Sequence, residues 1–298
     1  MFGVFMNDVT FLTEIPENEQ KQFDVYVQAA RKTFILSPKE TVKIVLRDHA
    51  EFMENLREGK HLSSLISRLR DESFRSFLIQ EAQMNAYVLN HISEKFAVPA
   101  EKFTALYDCF EKSQKDIKHR LRDFFGDFSS QIYPYIYSLS LSNTQSRRAR
   151  AGKIFEGIVY GLYDVLGYSY ASQTSVGSKN FKSKKLGKIV DSLLPSLEAF
   201  EQRRDKVIIG TMKTTLRERW QEVIEEINRT GLPSIYLLTV DENVSLNKVE
   251  QMANHNVILV VYKSVKEHSS LLNKRNVISF EDFFFSEIPQ TLEYWKPS

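Results

Sequence analysis

The sequence predicts an α/β protein: a central mixed β-sheet flanked by helices, preceded by a helical N-terminal domain. Three observations carry this. Apolar residues recur at helical spacing through the first half. Runs rich in Val, Ile, Leu and Tyr are confined to the second half. Helical stretches alternate with those runs, as strands and helices do in α/β domains. At about 100–200 residues per domain, 298 residues suit two domains, drawn here at 1–141 (helical) and 142–298 (sheet).

Met1 to Thr13 is apolar but short, with no basic start and no small-residue cleavage site. It reads as an ordered arm or strand, not a signal peptide. Ser37-Pro38-Lys39-Glu40 is a helix start, with Ser at the cap and Pro in the first turn. Val42, Val45 and Leu46 follow at helical spacing, as do Phe74, Phe77, Leu78 and Ala82. Pro99 opens another helix, with Ala105, Leu106, Cys109 and Phe110 on one face. The Tyr-rich stretch Ile132 to Leu141, containing Pro134, ends the helical block. From Ser142 the chain is polar and basic, and Ile154 to Leu166 forms an amphipathic helix. Ser172 to Lys188 is a loop rich in Ser, Gly and Lys. The strand-like runs are Lys206 to Met212, Ile235 to Val240 and Val257 to Tyr262. Leu216 to Asn228 and Ser245 to Ala253 are the helices between them.

Composition excludes several classes. Hydrophobic residues at 42% and charged residues at 26% are ordinary globular values, which removes disordered and collagen-like chains. The single cysteine, Cys109, leaves no intramolecular disulfide and no cysteine cluster for zinc, and fits a reducing compartment. His49, His61, His91 and His119 have no metal-ligand spacing. No apolar run approaches the ~18 residues of a membrane span, so a cytoplasmic protein with no membrane partner is expected.

Net charge is only +2, but its distribution is uneven. Between Arg147 and Val190 there are nine basic residues against two acidic ones, Glu156 and Asp164. Such a stretch suits a phosphate backbone, although a solvated basic loop has the same composition. Arg148, Lys153, Lys184 and Lys185 are the candidate phosphate contacts.

Glu156, Asp191, Lys213 and Glu226 are the residues with chemical potential. Lys213 ends the run Val207 to Met212, and a strand end places its side chain at a sheet rim. Trp220, Val223, Ile224 and Ile227 form the buried stripe of the next helix, with Glu226 on its flank and Glu222 and Glu225 turned further out. Two carboxylates and a lysine in one place suit phosphodiester hydrolysis: oxygen ligands hold Mg²⁺, and a lysine orients the attacking water or offsets charge. Taken singly, each of these residues is more often half of a surface ion pair.

The stretch Lys213-Thr214-Thr215-Leu216-Arg217-Glu218-Arg219-Trp220 resembles the active-site and recognition segment of type II restriction endonucleases of the PD-(D/E)xK superfamily. The similarity is to the branch that reads CCGG or interrupted CC–GG sites, the branch of the EcoRII catalytic domain, SsoII, PspGI and NgoMIV. There the acidic residue two places before the lysine is replaced, and its carboxylate comes from the following helix. Thr211 stands at the vacated place; Glu226 lies thirteen residues after Lys213 and Asp191 twenty-two before it. Arg148 to Glu156 is similar to the family's basic helix start ending in its first glutamate. Val190 departs from the pattern, which has proline there. The resemblance spans about Ser142 to Val261.

The resemblance implies a restriction-endonuclease-like core and Mg²⁺-dependent cleavage of double-stranded DNA at a palindrome with a CCGG or CC-N-GG core. Asp191 and Glu226 would hold the metal, Lys213 would face the attacking water and phosphate, and Glu156 would complete the acidic site. Arg217, Glu218 and Arg219 match the base-reading segment; Arg is bidentate to guanine and Glu accepts from cytosine N4. Gln145, eleven residues before Glu156, stands where similar enzymes reach the minor groove. A palindrome implies a homodimer or a higher oligomer. The N-terminal domain would serve dimerisation or contact with flanking DNA. Two other readings are a repair or mobile-element nuclease of the same fold and a non-catalytic DNA-binding protein.

Overall fold

A computed structural model describes residues 12–49, 51, 54, 56, 59, 61–177, 181, 186 and 189–296. Six strands form one mixed sheet in sequence order: β1 (Ala171–Ser172), β2 (Ser192–Leu194), β3 (Ile208–Lys213), β4 (Ile235–Thr239), β5 (Val257–Val261) and β6 (Val277–Ser279). β1, β2 and β3 pair antiparallel, whereas β3 to β6 run parallel. β3 and β4 are buried along almost their whole length, as expected of strands covered on both faces. The longer helices are α1 (Glu17–Phe34), α2 (Pro38–Asp48), α3 (Leu62–Asn90), α4 (Ala97–Lys112), α5 (Ile117–Gln131), α6 (Tyr133–Leu166), α7 (Arg219–Thr230) and α8 (Leu246–Ala253). α7 and α8 supply the crossovers from β3 to β4 and from β4 to β5.

The chain divides into two compact units. One holds the described residues up to Leu36 together with Ser76–Ala149; the other holds Ser37–Arg75 and the residues from Arg150 onward. This differs from a boundary at 141/142, which falls inside α6. Pro134 does not end the helical block. It sits in the first turn of α6, where a missing N–H costs nothing, and the helix then continues to Leu166. The polar stretch Ser142 to Arg150 is therefore helical too. α2 joins the sheet unit because it packs closely on α6: a Cβ at Gly161 would stand 3.3 Å from Leu46 Cδ1.

Among the described residues the first unit holds helices and no strand. Its core is built by Phe23, Val27, Met84, Val88, Phe96 and Tyr135, with Phe23 and Tyr135 meeting edge to face at 5.2 Å. Tyr133, Tyr135 and Tyr137 alternate in sequence but lie on a helix. Tyr133 and Tyr137 stack on an exposed face, while buried Tyr135 donates to Glu19 Oε2 at 2.5 Å. The sheet unit packs α2 and the sheet around Phe155, Ile158, Leu162 and Phe280, all fully buried.

Ser37 caps α2 as expected: its Oγ accepts from Glu40 N–H at 3.2 Å, and Glu40 Oε2 accepts from Ser37 N–H at 3.0 Å. The three long strand-like runs are β3, β4 and β5 within two residues. β1, β2 and β6 are only two or three residues long and give no run that a pattern could detect. The expected N-terminal arm lies almost wholly outside the described residues. Among the described residues no helix is long and apolar enough to cross a membrane.

Candidate active site

Asp191 immediately precedes β2, and its N–H donates to Gly210 O at 2.9 Å, continuing the β2–β3 ladder by one residue. Its carboxylate turns to the same strand: Oδ2 accepts from Met212 N–H at 2.7 Å and from Thr211 Oγ1 at 3.4 Å. β3 thus seats the aspartate with its own main chain, and Thr211, fully buried, helps to hold it. Lys213 follows as the last residue of β3, level with Thr239 of β4. Close approach of β2 and β3 depends on Gly210, where a Cβ would stand 2.5 Å from Ser192 Oγ.

α6 supplies the third charge. Glu156 is half-buried there, and one turn later Tyr160 Oη donates to the Asp191 carbonyl at 2.9 Å. Burial, then the negative charge of Asp191, pushes the Glu156 carboxyl up to about 7; Lys213 and Lys153 pull it back down. Burial raises Asp191 as well, against the pull of Lys213 and of its bonds from Met212 and Thr211. Glu156, Asp191 and Lys213 therefore share one electrostatic field, although 57 residues separate the first from the last.

Glu226 is buried on α7, as its flank position predicts, but its carboxylate is ion-paired with Arg229 one turn on. Arg229 Nε reaches Oε2 at 3.2 Å, and Arg229 Nη2 holds Oε1. Among the described residues, no three acidic, His or Cys side chains converge as a ready-made metal cage. Two carboxylates in one field are what Mg²⁺ needs when waters and phosphate oxygens complete its shell. Burial is the main cause of their raised proton affinity, and a cation bound there would offset the cost of keeping both ionised. The Glu156–Asp191 donor set therefore fits a hard divalent cation.

After β3 the chain turns through Arg217, Glu218 and Arg219 into α7, and all three side chains are exposed. Leu216 is their anchor: fully buried, its N–H bonded to Asp241 Oδ2 at 2.7 Å and its carbonyl accepting from Arg219 N–H at 2.8 Å. Arg217 has φ +22°, a backbone position that non-glycine residues rarely adopt. Asp241, at the end of β4, also accepts from Asn243 N–H at 3.0 Å through its other oxygen. Neither Asp241 nor Tyr160 was singled out by sequence pattern. Tyr160 had a usable signal, one turn after Glu156 on the same helix; Asp241 had none beyond following a strand-like run.

Lys153 is exposed on α6 and acts on Glu156. Gln145 and Arg148 are exposed on α6 in the first unit. Lys184 and Lys185 lie outside the described residues. Two members of the basic stretch have protein partners. Arg147 Nε donates to buried Glu81 at 2.8 Å, and buried Arg150 donates to Thr41 Oγ1 at 2.8 Å.

Residues 107–284 match the family described as EcoRII C terminal. The chain is 35% identical over 212 residues to the type II restriction enzyme SsoII of Shigella sonnei, an alignment covering 67% of this chain and 69% of that one. A solved structure of metal-depleted Ecl18kI in complex with uncleaved, modified DNA superposes with a TM-score of 0.74 at 27% identity, over 93% of this chain and 86% of that one. A PspGI–substrate DNA complex shares the fold, with a TM-score of 0.62 at 17% identity over 89% of this chain and 96% of that one.

Proposed function

The chain belongs to the EcoRII C-terminal family and is a type II restriction endonuclease, and from that premise we propose that it cuts double-stranded DNA at a palindrome with a CCGG or CC-N-GG core, in a Mg²⁺-dependent reaction. The observation that carries this reading is the meeting of Asp191, Lys213 and Glu156 in one field at the end of β3. The solved relatives held with DNA support the duplex as partner.

Asp191 and Glu156 would hold the cation, joined by Glu226 once Arg229 lets its carboxylate go. When bound, the cation supplies charge neutralisation at the scissile phosphate and a more acidic water. Asp191 is fixed by Met212 N–H and Tyr160 and presents its remaining oxygen without reorganisation. Lys213 donates from Nζ to the attacking water and to a non-bridging phosphate oxygen, positioning one and offsetting charge on the other. Thr211 stands where a carboxylate would otherwise complete the strand motif, so this site needs a donor from another element.

Arg217, Glu218 and Arg219 would read the C·G pairs from the major groove, with Gln145 on the minor-groove side. Arg148, Lys153, Lys184 and Lys185 would contact phosphates. Two copies of the chain on one palindrome would provide two active sites and two readers. On this reading the protein works beside the DNA of a bacterial or archaeal cytoplasm.

Digestion of a plasmid of known sequence, followed by sequencing of the ends, tests the reading. We expect discrete cuts at one palindrome with Mg²⁺ and none with EDTA. Lys213→Ala should remove cleavage while site-specific binding in Ca²⁺ survives. Cutting without a common sequence would favour a repair nuclease, and binding without any cutting would favour a non-catalytic protein.

A further inference from the structure

The core-facing stripe of α6 changes character along the helix. Tyr135 and Leu139 are buried in the apolar core of the first unit. Further steps of four residues reach Asn143, which is buried, and Arg147. Both are tied to other helices. Arg147 Nε donates to Glu81 Oε2 on α3 at 2.8 Å, and its Nη2 reaches the same oxygen. Glu81 is a buried charge. Asn143 Nδ2 donates to Asn85 Oδ1, one turn along α3, at 2.8 Å. Arg31 Nη2 of α1 donates to Asn143 Oδ1 at 2.9 Å and to Ser142 Oγ at 3.1 Å. A polar network thus joins α1, α3 and α6 inside the first unit. Asn143 and Arg147 flank Gln145 in sequence. At about 100° per residue they lie on the face of α6 opposite to it, and Gln145 and Arg148 are exposed.

Apolar packing stabilises a helix at least as well as a buried ion pair does, but it tolerates small rotations, whereas hydrogen bonds between fixed partners select one setting. We propose that Glu81, acting through Arg147, is a positioning residue for Gln145: it sets the rotation of α6 about its own axis, and thereby the direction in which Gln145 meets the minor groove. At a side-chain radius of ~6 Å, turning a helix by about 20° moves a tip by about 2 Å, enough to lose a hydrogen bond. Arg31, through Asn143, resists the same rotation from α1. The inference rests on the reading of Gln145 as a minor-groove residue. In that groove the 2-amino group of guanine is what separates G·C from A·T, and a glutamine amide oxygen can accept from it. Turning Gln145 away therefore has a specific consequence: discrimination falls at the pair it reads.

Duplexes carrying the site found by plasmid digestion, with guanine or inosine at its C·G pairs, isolate that contact, because inosine lacks only the 2-amino group. Binding of the full chain in Ca²⁺ is read as the ratio of the two affinities, which cancels any general loss of phosphate contact. The wild type should prefer guanine by about tenfold, and Gln145→Ala should bring the ratio close to one. Glu81→Gln should lower the preference by about threefold or more, and adding it to Gln145→Ala should change the ratio no further. Glu81→Leu with Arg147→Leu separates stability from positioning. An apolar pair in place of the ion pair should melt at or above the wild-type temperature, while its preference for guanine stays as low as that of Glu81→Gln. A stable leucine pair or a folded Glu81→Gln variant with the wild-type preference would overturn the proposal and leave the reading of Gln145 standing. A Gln145→Ala variant that still prefers guanine would remove that reading, and the proposal with it.

Discussion

The N–H of Leu216 donates to Asp241 Oδ2 at 2.7 Å, tying the turn after β3 to the end of β4. That turn carries Arg217, Glu218 and Arg219, and Arg217 sits at φ +22°, a conformation its neighbours must hold in place. Asp241 uses its second oxygen on Asn243 N–H, so both oxygens serve main-chain donors. An asparagine could accept only one of the two bonds. Asp241→Asn should therefore loosen the turn and relax site preference, with cleavage at one-base variants of the site rising about tenfold relative to the true site. Asp241→Ala should go further. Glu218→Ala provides the reference, because loss of a base contact should cost about 1–3 kcal/mol of discrimination at one pair. If Glu218→Ala relaxes the site and both Asp241 variants leave it unchanged, the tether plays no part in reading.

Gly210 and Ser192 are directly paired across β2 and β3, and a Cβ at 210 would lie 2.5 Å from Ser192 Oγ. Both positions are buried, so the clash must move a rotamer or a strand. Since Asp191 is the next residue along and bonds to the Gly210 carbonyl, strand movement displaces the aspartate. Gly210→Ala should cost about 1–3 kcal/mol in denaturant melts and lower cleavage more than binding. Adding Ser192→Ala removes the clashing oxygen and should restore most of both. A double variant no better than the single would show that the strain lies elsewhere.

The sequence made the sheet and part of the site legible because their signals are local. β3, β4 and β5 are long apolar runs, and Lys213 ends one of them; the stripe of Trp220, Val223 and Ile227 oriented α7 well enough to place Glu226 at its buried edge. Partner choice between distant segments was not legible. Nothing local indicates that Arg147 pairs with Glu81 or that Tyr160 reaches Asp191, whereas Glu226 and Arg229, three residues apart on one helix, are paired by local spacing. The run of basic residues counted Arg147 and Arg150 alike, whereas buried Arg150 spends a hydrogen bond on Thr41 and exposed Arg147 is tied to buried Glu81. The two-unit boundary was missed for a related reason. The pattern breaks the chain at Pro134 and at the polar stretch from Ser142, whereas the structure runs one helix through both, and packing against α2 places its second half in the sheet unit.

Glu156 gives a pH prediction. Its carboxyl rises from 4.5 to about 7 in the folded chain, first through burial and then through Asp191. Folding therefore favours the protonated form. Below about pH 4.5 both states are protonated and the group is neutral toward stability; as pH climbs from there to 7 the unfolded chain ionises first and stability falls. Glu156→Gln should raise the melting temperature of the metal-free protein above pH 7 and leave it unchanged near pH 4. Cation binding needs the ionised form, so Ca²⁺ affinity measured by calorimetry should drop below pH 7 with uptake releasing close to one proton. Equal proton release by wild type and Glu156→Gln would remove Glu156 from the cation site.

Arg229 sets the last prediction. Its side chain is 62% exposed and its guanidinium holds the carboxylate of Glu226, whose side chain is only 10% exposed. If Glu226 serves the cation, it must first leave Arg229. An ion pair with one partner this exposed is weakened by solvent screening, so releasing Glu226 from it costs little. Arg229→Met keeps the aliphatic stem and removes the charge. It should lower the Mg²⁺ concentration for half-maximal cleavage by about two- to fivefold and reduce thermal stability slightly, because a nearly buried carboxylate loses its partner. Raising the salt concentration should shrink the difference between the two proteins by screening the pair in the wild type. A Mg²⁺ requirement that is the same in both proteins at low salt, together with a Glu226→Gln variant of normal activity, would leave the Glu226–Arg229 pair as a brace of α7 and assign the cation to Asp191 and Glu156 alone.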